Sequence, residues 1–158
     1  MPTSTCRWFG AAALALLLAG PATAADTGAP AVADSLTPAR ALIAKKQWPA
    51  ALEELRRVSE PTSADWYNLM GYSLRKGAAP DLDAAERHYN EALRISPKHC
   101  GALEYSGELY LMRGDLARAE QRLATLDKAC LLPCEEYTDL KKAVQRFKAG
   151  GQVPAPTR

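Results

Sequence analysis

The chain has 158 residues, with 20 basic and 18 acidic side chains and a formal net charge of +2. Charges of both signs are interspersed, which excludes the basic footprint of a nucleic-acid binder, where Lys and Arg gather on one face. Hydrophobic residues at 47% and charged residues at 24% suit a soluble domain with a continuous core and exclude a disordered chain.

Residues 1–24 read as a secretory signal peptide. Arg7 supplies the positive start, Ala11 to Ala19 is an unbroken apolar run, and Ala22-Thr23-Ala24 matches a small-x-small cleavage site. The run is about half the length of a membrane-spanning helix, so no membrane insertion is expected after cleavage. No Cys stands directly after the run and Cys6 precedes it, which argues against a lipid anchor. Cleavage removes Arg7 alone, leaving 19 basic against 18 acidic residues and a net charge of +1.

Residues 25–34 are small, carry no periodic stripe and read as a flexible leader. A helix is predicted from Thr37-Pro38, with Thr37 as N-cap and Leu42 and Ile43 on its apolar side. Gln47-Trp48 makes a turn and Pro49 to Val58 forms the partner helix. Glu60-Pro61-Thr62-Ser63 punctuates, and Ser63 caps the helix that holds Trp66. Asp81 or Asp83 caps the next helix, which runs to Ile95 and is ended by Ser96-Pro97. Another pair opens near Lys98-His99-Cys100, turns at Arg113-Gly114-Asp115 and continues to about Ala129. Pro133 breaks the chain. The last helix, Glu135 to Lys148, sets Tyr137, Leu140, Val144 and Phe147 on one stripe, with Glu136, Asp139, Lys142 and Arg146 on the other face. Residues 149–158 read as a disordered tail. The fold class is therefore all-α.

Three of these stretches align when slid by 34 residues. Trp48, Leu82 and Leu116 fall on one repeat position, and Ala51, Ala85 and Ala119 three further on. Leu55, Tyr89 and Leu123 follow, then Val58, Ala92 and Leu126. The spacings of 3, 4 and 3 draw one stripe down a helix, with the small residue where a neighbour approaches closely. The preceding helices each hold a Gly, Gly71 and Gly107, four residues after a large one. Gly inside a helix costs about 1 kcal/mol relative to Ala, so its presence at matching places argues that two backbones pass too close there for a Cβ. Self-similarity of this period marks stacked helix–turn–helix units.

These residues resemble the tetratricopeptide repeat (TPR). Tyr67, Gly71, Ala85, Tyr89, Ala92 and Pro97 fit its pattern in the second copy, and Leu103, Gly107, Tyr110, Ala119 and Leu123 in the third. The second copy carries two extra residues in the turn Gly77-Ala78-Ala79-Pro80, and the first has Ala39 where Gly would stand. The resemblance implies an α-solenoid over 35–148: a degenerate unit 1 (35–63), unit 2 (64–99), unit 3 (100–133) and a capping helix (134–148) that covers the exposed end. It also implies a concave groove lined by Asp65, Asn68, Tyr72 and Arg75 from unit 2, and by Glu104, Glu108, Leu111 and Met112 from unit 3. TPR grooves that grip a terminal carboxylate use Lys, Asn and Arg. The two Glu here point instead to a protein or peptide partner with apolar and basic residues, in a helix or extended segment. Composition and repeat type together imply a bacterial chain exported to the periplasm.

Three cysteines follow the signal segment: Cys100, Cys130 and Cys134. In an exported chain thiols tend to be oxidised. Cys130 and Cys134 flank the corner Leu131-Leu132-Pro133, where a bridge would clamp the last helix. Cys100 opens its unit near the same corner, so a 100–130 bridge is the other pairing. Residues 129–137 resemble the C-terminal part of short exported bacterial TPR proteins, and that resemblance implies 130–134. Two sharper uses compete with a structural bridge. A redox dithiol usually has two residues between its Cys, and here there are three. A metal site of His99, Cys100, Cys130 and Cys134 lacks the paired close spacings of zinc knuckles.

No Gly-rich phosphate loop, His-Glu-x-x-His or nucleophile elbow is present in the sequence. His88 reads as a helix-surface residue, and the pairs Glu53-Glu54 and Glu135-Glu136 as solvated or first-turn carboxylates. The expectation is a non-enzymatic interaction module without a cofactor or metal. Its alternative is a small periplasmic redox or metal-handling protein using Cys100, Cys130 and Cys134.

Overall fold

Trp48 and the eight residues beyond it show how the sequence makes its helices. Pro49 sits in the first turn, where its missing N–H is not needed, and Ala51 and Leu55 bury one face. The computed structural model describes residues 34–58, 62–130 and 134–151. In these there are seven α-helices and no strand: α1 (Thr37–Ala44), α2 (Trp48–Arg56), α3 (Ala64–Lys76), α4 (Leu82–Ile95), α5 (Cys100–Met112), α6 (Leu116–Ala129) and α7 (Glu135–Lys148). The signal segment 1–24, most of the leader and most of the tail lie outside the described residues.

The caps follow the chemistry of the sequence in most places. Ser63 Oγ accepts from Trp66 N at 3.1 Å, and Asp81 Oδ1 accepts from Ala84 N at 2.8 Å. Asp115 Oδ1 accepts from Arg118 N at 3.0 Å, and Gly114 turns the preceding corner at φ +76°. The start of α1 differs from the expectation. Thr37 lies inside the helix and Leu36 occupies the N-cap without a side-chain bond, because Asp34 takes over by accepting from Leu36 N at 3.0 Å. The turn before α2 ends at Gln47, with Lys46 in the left-handed region at φ 57° and Trp48 already helical.

Helices adjacent in sequence pack on one another: α1 on α2, α3 on α4, α5 on α6, with α2 also against α3 and α4 against α5. The last helix, α7, packs on both α5 and α6. Ala51, Ala85 and Ala119 are fully buried, as are Leu55, Tyr89, Ala92 and Leu126. Gly71 and Gly107 mark close approaches. A Cβ on Gly71 would lie 2.8 Å from the Tyr89 ring and 3.1 Å from the Ala85 carbonyl oxygen; one on Gly107 would lie 2.6 Å from Leu140. The close approach of two backbones expected at these glycines is therefore corrected: the neighbour is chiefly a side chain, Tyr89 at Gly71 and Leu140 at Gly107.

The core has two parts. Leu36, Ala39, Leu55, Trp66, Leu69 and Met70 form one cluster over α1–α3, joined by a bond from Trp66 Nε1 to the Leu55 carbonyl at 2.8 Å. A larger cluster runs from Ala85 and Tyr89 through Leu103, Leu109 and Leu126 to Leu140 and Val144, and Tyr67 packs against both. Outside the core, Glu86 of α4 is a polar hub. It pairs with Arg113 at 2.6 Å and Arg118 at 2.9 Å, and accepts from the Tyr110 hydroxyl at 3.1 Å. That network ties α4 to the following pair.

Candidate functional site

The eight residues expected to line a groove lie on α3 and α5, and the structure buries five of them: Asn68, Tyr72, Arg75, Glu104 and Leu111. Arg75 is only 2% exposed. Its Nη2 lies 2.8 Å from Glu108 Oε2, a coulombic contact off the line of a directed hydrogen bond. Its Nε donates to the Tyr89 hydroxyl at 3.4 Å, and its guanidinium lies 5.7 Å from the Tyr72 ring centre and 5.6 Å from that of Tyr105. Burial alone pulls the guanidinium's pKa down, but Tyr89 and Glu108 outweigh it and hold the pKa above the ordinary value. Tyr72 and Tyr105 meet with ring centres 4.5 Å apart, so α3 and α5 are joined by aromatic and charged contacts together.

Asp65 sits at the exposed start of α3. It accepts from Arg40 Nη2 at 2.8 Å and meets His99 Nε2 at 2.8 Å; the Arg40 bond chiefly holds its carboxyl below the usual range against partial burial. His99 does double duty, because its Nδ1 accepts from Ala102 N at 3.1 Å and caps α5. Asn68 is packed so tightly on Gly101 that a Cβ there would lie 3.0 Å from Nδ2, and its buried Oδ1 has no hydrogen-bond partner. Leu111 belongs to the apolar core, whereas Met112, at 36% exposure, reaches solvent.

Glu104 is the unusual group of the face. It is 8% exposed, and burial, then the charges of Glu108, Asp139 and Glu136, push its pKa up to about 8, with Arg75 opposing. The sign of the pH effect follows. Below pH 4.5 both folded and unfolded chains hold this proton; between 4.5 and about 8 only the folded chain does; above that neither does. Stability therefore falls as pH rises through that window, by about 1.4 kcal/mol per unit of separation as an upper bound. Glu104→Gln is expected to stabilise the protein at pH 9 and to leave it unchanged at pH 4, read by urea unfolding at both. On α3, burial and then Arg75 push Lys76 down to about 8.

Sequence reasoning missed Tyr105, His99 as a cap, and the contribution of Glu136 and Asp139 from α7. The helical positions of Glu136 and Asp139, three apart, were visible; what they face was not. His88 is half-buried against Trp66 and Tyr67 at ring distances of 5.7 and 5.9 Å, with its pKa lowered by burial and by Arg87. A second concavity, about 430 Å³, lies between α2 and the end of α3 and is lined by Trp48, Leu52, Leu74 and Ala79. Its charged members, Glu53 and Arg56, pair with each other at 2.6 Å, so it offers little beyond apolar surface.

Cys130 and Cys134 are joined in a disulfide with Cα atoms 6.0 Å apart, and Cys100 is free. Burial, then Glu136, pushes the Cys100 thiol up, away from the thiolate form. Among the described residues no group of three or more His, Cys, Asp and Glu could hold a metal ion. Alkylation of the unreduced mature protein is expected to add one label, at Cys100, and three after reduction, counted by mass spectrometry. Reduction itself should cost about 2 kcal/mol, since the closed loop is short. Compared with protein-family models and with curated proteins, the chain matches none. No helix among the described residues is long and apolar enough to cross a membrane.

Proposed function

We propose that this chain is an exported, non-enzymatic adaptor or assembly factor, built as three TPR units and a capping helix, that holds a protein or peptide partner. The partner lies along the side where α3, α5 and α7 follow one another. The observation that carries the reading is the seam between α3 and α5. Arg75, Glu108, Tyr72 and Tyr105 lock the two helices together, while Met112 reaches solvent beside them. Such a seam fixes the spacing of a recognition face and offers no activated nucleophile. The recurrence of buried Ala51, Ala85 and Ala119 supports the repeat reading, and the packing of α7 on α5 and α6 supports its capping role. The reading places the mature chain in the periplasm, with residues 1–24 as its leader, and rests there on the sequence.

The test is site-specific photo-crosslinking in intact cells. A crosslinker at Met112 is expected to trap a discrete partner, and one at Arg56, on the exposed side of α2, is not. Trapping at neither position, or equally at both, would count against the face. The redox alternative gains nothing from a raised Cys100 thiol and a pair already bridged.

A further inference from the structure

The cavity beside α2 stands where the chain departs from its own repeat. The turn between α3 and α4 runs from Gly77 to Asp81, whereas the matching turn between α5 and α6 needs only Arg113 to Asp115. Gly77, Ala78 and Ala79 of the longer turn form one wall of a concavity of about 430 Å³, and Trp48, Leu52 and Leu74 supply most of its apolar lining. One polar atom interrupts that surface. Ser73 lines the cavity and is fully buried, and its Oγ has no hydrogen-bond partner among the described residues. A helical serine can donate to the carbonyl four residues back, as the equally buried Ser106 does to Ala102 at 2.6 Å. Ser73 forgoes that bond. A buried hydroxyl left unpaired costs free energy that a polar group on a guest would return.

We infer that this cavity binds a small neutral aromatic molecule carrying one hydroxyl or N–H group, with that group bonded to Ser73 Oγ and its rings seated against Trp48, Leu52 and Leu74. Size, charge and polarity each narrow the guest. A cavity of about 150 Å³ is enough for benzene, so about 430 Å³ leaves room for two fused rings. The charges at the rim already have company. Arg56 Nη1 pairs with Glu53 Oε1 at 2.6 Å, and Lys76 Nζ lies 5.9 Å from the Trp48 ring centre. A cation would meet Arg56 and Lys76, and an anion Glu53, whereas a neutral guest disturbs neither contact. Polarity asks for a donor. Ser73, Leu74 and Gly77 stand at the carboxyl end of α3, where a helix carries its negative partial charge. Apolar walls with a few polar groups that set orientation are the usual make-up of a small-molecule site. None of the residues that join α3 to α5 lines this cavity, so the inference goes beyond the adaptor reading and does not depend on it.

The test uses the mature protein and two probes of one shape, 2-naphthol and 2-methylnaphthalene, with binding read by equilibrium dialysis at pH 7, where a phenolic hydroxyl is neutral. The naphthol is expected to bind about three- to tenfold tighter than its methyl twin, the worth of one hydrogen bond. Ser73→Ala should bring the two within about twofold of each other while the methyl probe stays bound. Ala79→Phe, in an exposed turn, fills the cavity and should weaken both probes by about tenfold or more. Met112→Ala, on the α3–α5 face, should change neither. Circular dichroism checks that each variant folds. Equal affinity of the two probes, binding of neither, or binding that survives Ala79→Phe overturns the site and leaves the adaptor reading standing. Failure of the crosslinking at Met112 leaves the cavity untouched.

Discussion

Arg75→Met is expected to destabilise the protein by about 3–5 kcal/mol, the usual cost of removing one partner from a buried ion pair. The substitution keeps the apolar volume of the stem and takes away the charge. Glu108 and Glu104 would then face each other and Asp139 without the cation that now offsets them, and the Tyr89 hydroxyl would lose its donor. Urea unfolding followed by circular dichroism measures the loss. The double variant Arg75→Met with Glu108→Leu should recover most of it, because a well-packed apolar pair substitutes for a buried ionic one at little cost. A loss below about 1 kcal/mol for the single variant would mean that the charges are solvated, as in exposed pairs.

Leu140→Ala carries the second large effect, about 2–5 kcal/mol. Leu140 is fully buried and seats its methyl groups over Gly107, so truncation opens a void between α7 and α5. The same contact predicts a coupling. Gly107→Ala alone puts a Cβ within 2.6 Å of Leu140, whereas in the Leu140→Ala background the space is free and the added methyl should cost nothing or stabilise. Gly71 offers no such relief, since its Cβ would meet the fully buried Tyr89 ring and a backbone carbonyl. Gly71→Ala should therefore cost about 1–3 kcal/mol, the penalty of overpacking. Thermal unfolding of the single and double variants decides both.

The helices were legible because their signals are local. Caps such as Ser63 and Asp81, the breaker Pro97 and the 34-residue register all act within a few turns of chain. Even the bridge between Cys130 and Cys134 spans a single corner. What the face does with its residues was less legible, because it depends on long-range contact. The repeat resemblance set Tyr72 and Arg75 on a groove side; in the structure both are buried, and the aromatic neighbour Tyr105 closes over them. Leu111 follows the same rule and falls in the core, because the α5 face that it shares is covered on nearly every side. Glu104 could be named from its position, but the charges that act on it come partly from α7, a helix more than thirty residues away that brings Glu136 and Asp139 with it.

The division of the core has a use in the laboratory. Beyond Trp8 of the proposed signal segment, Trp48 and Trp66 are the indoles of the chain, and they sit where α2 meets α3, Trp66 within the smaller cluster. The part built by α5, α6 and α7 has no indole, and its tyrosines are Tyr105, Tyr110 and Tyr137. Indole emission thus reports the amino-terminal pairs in isolation, and backbone ellipticity the whole. If the two melt at different denaturant concentrations, the gap between their midpoints measures directly how strongly Tyr67, which touches both halves, makes them unfold as one.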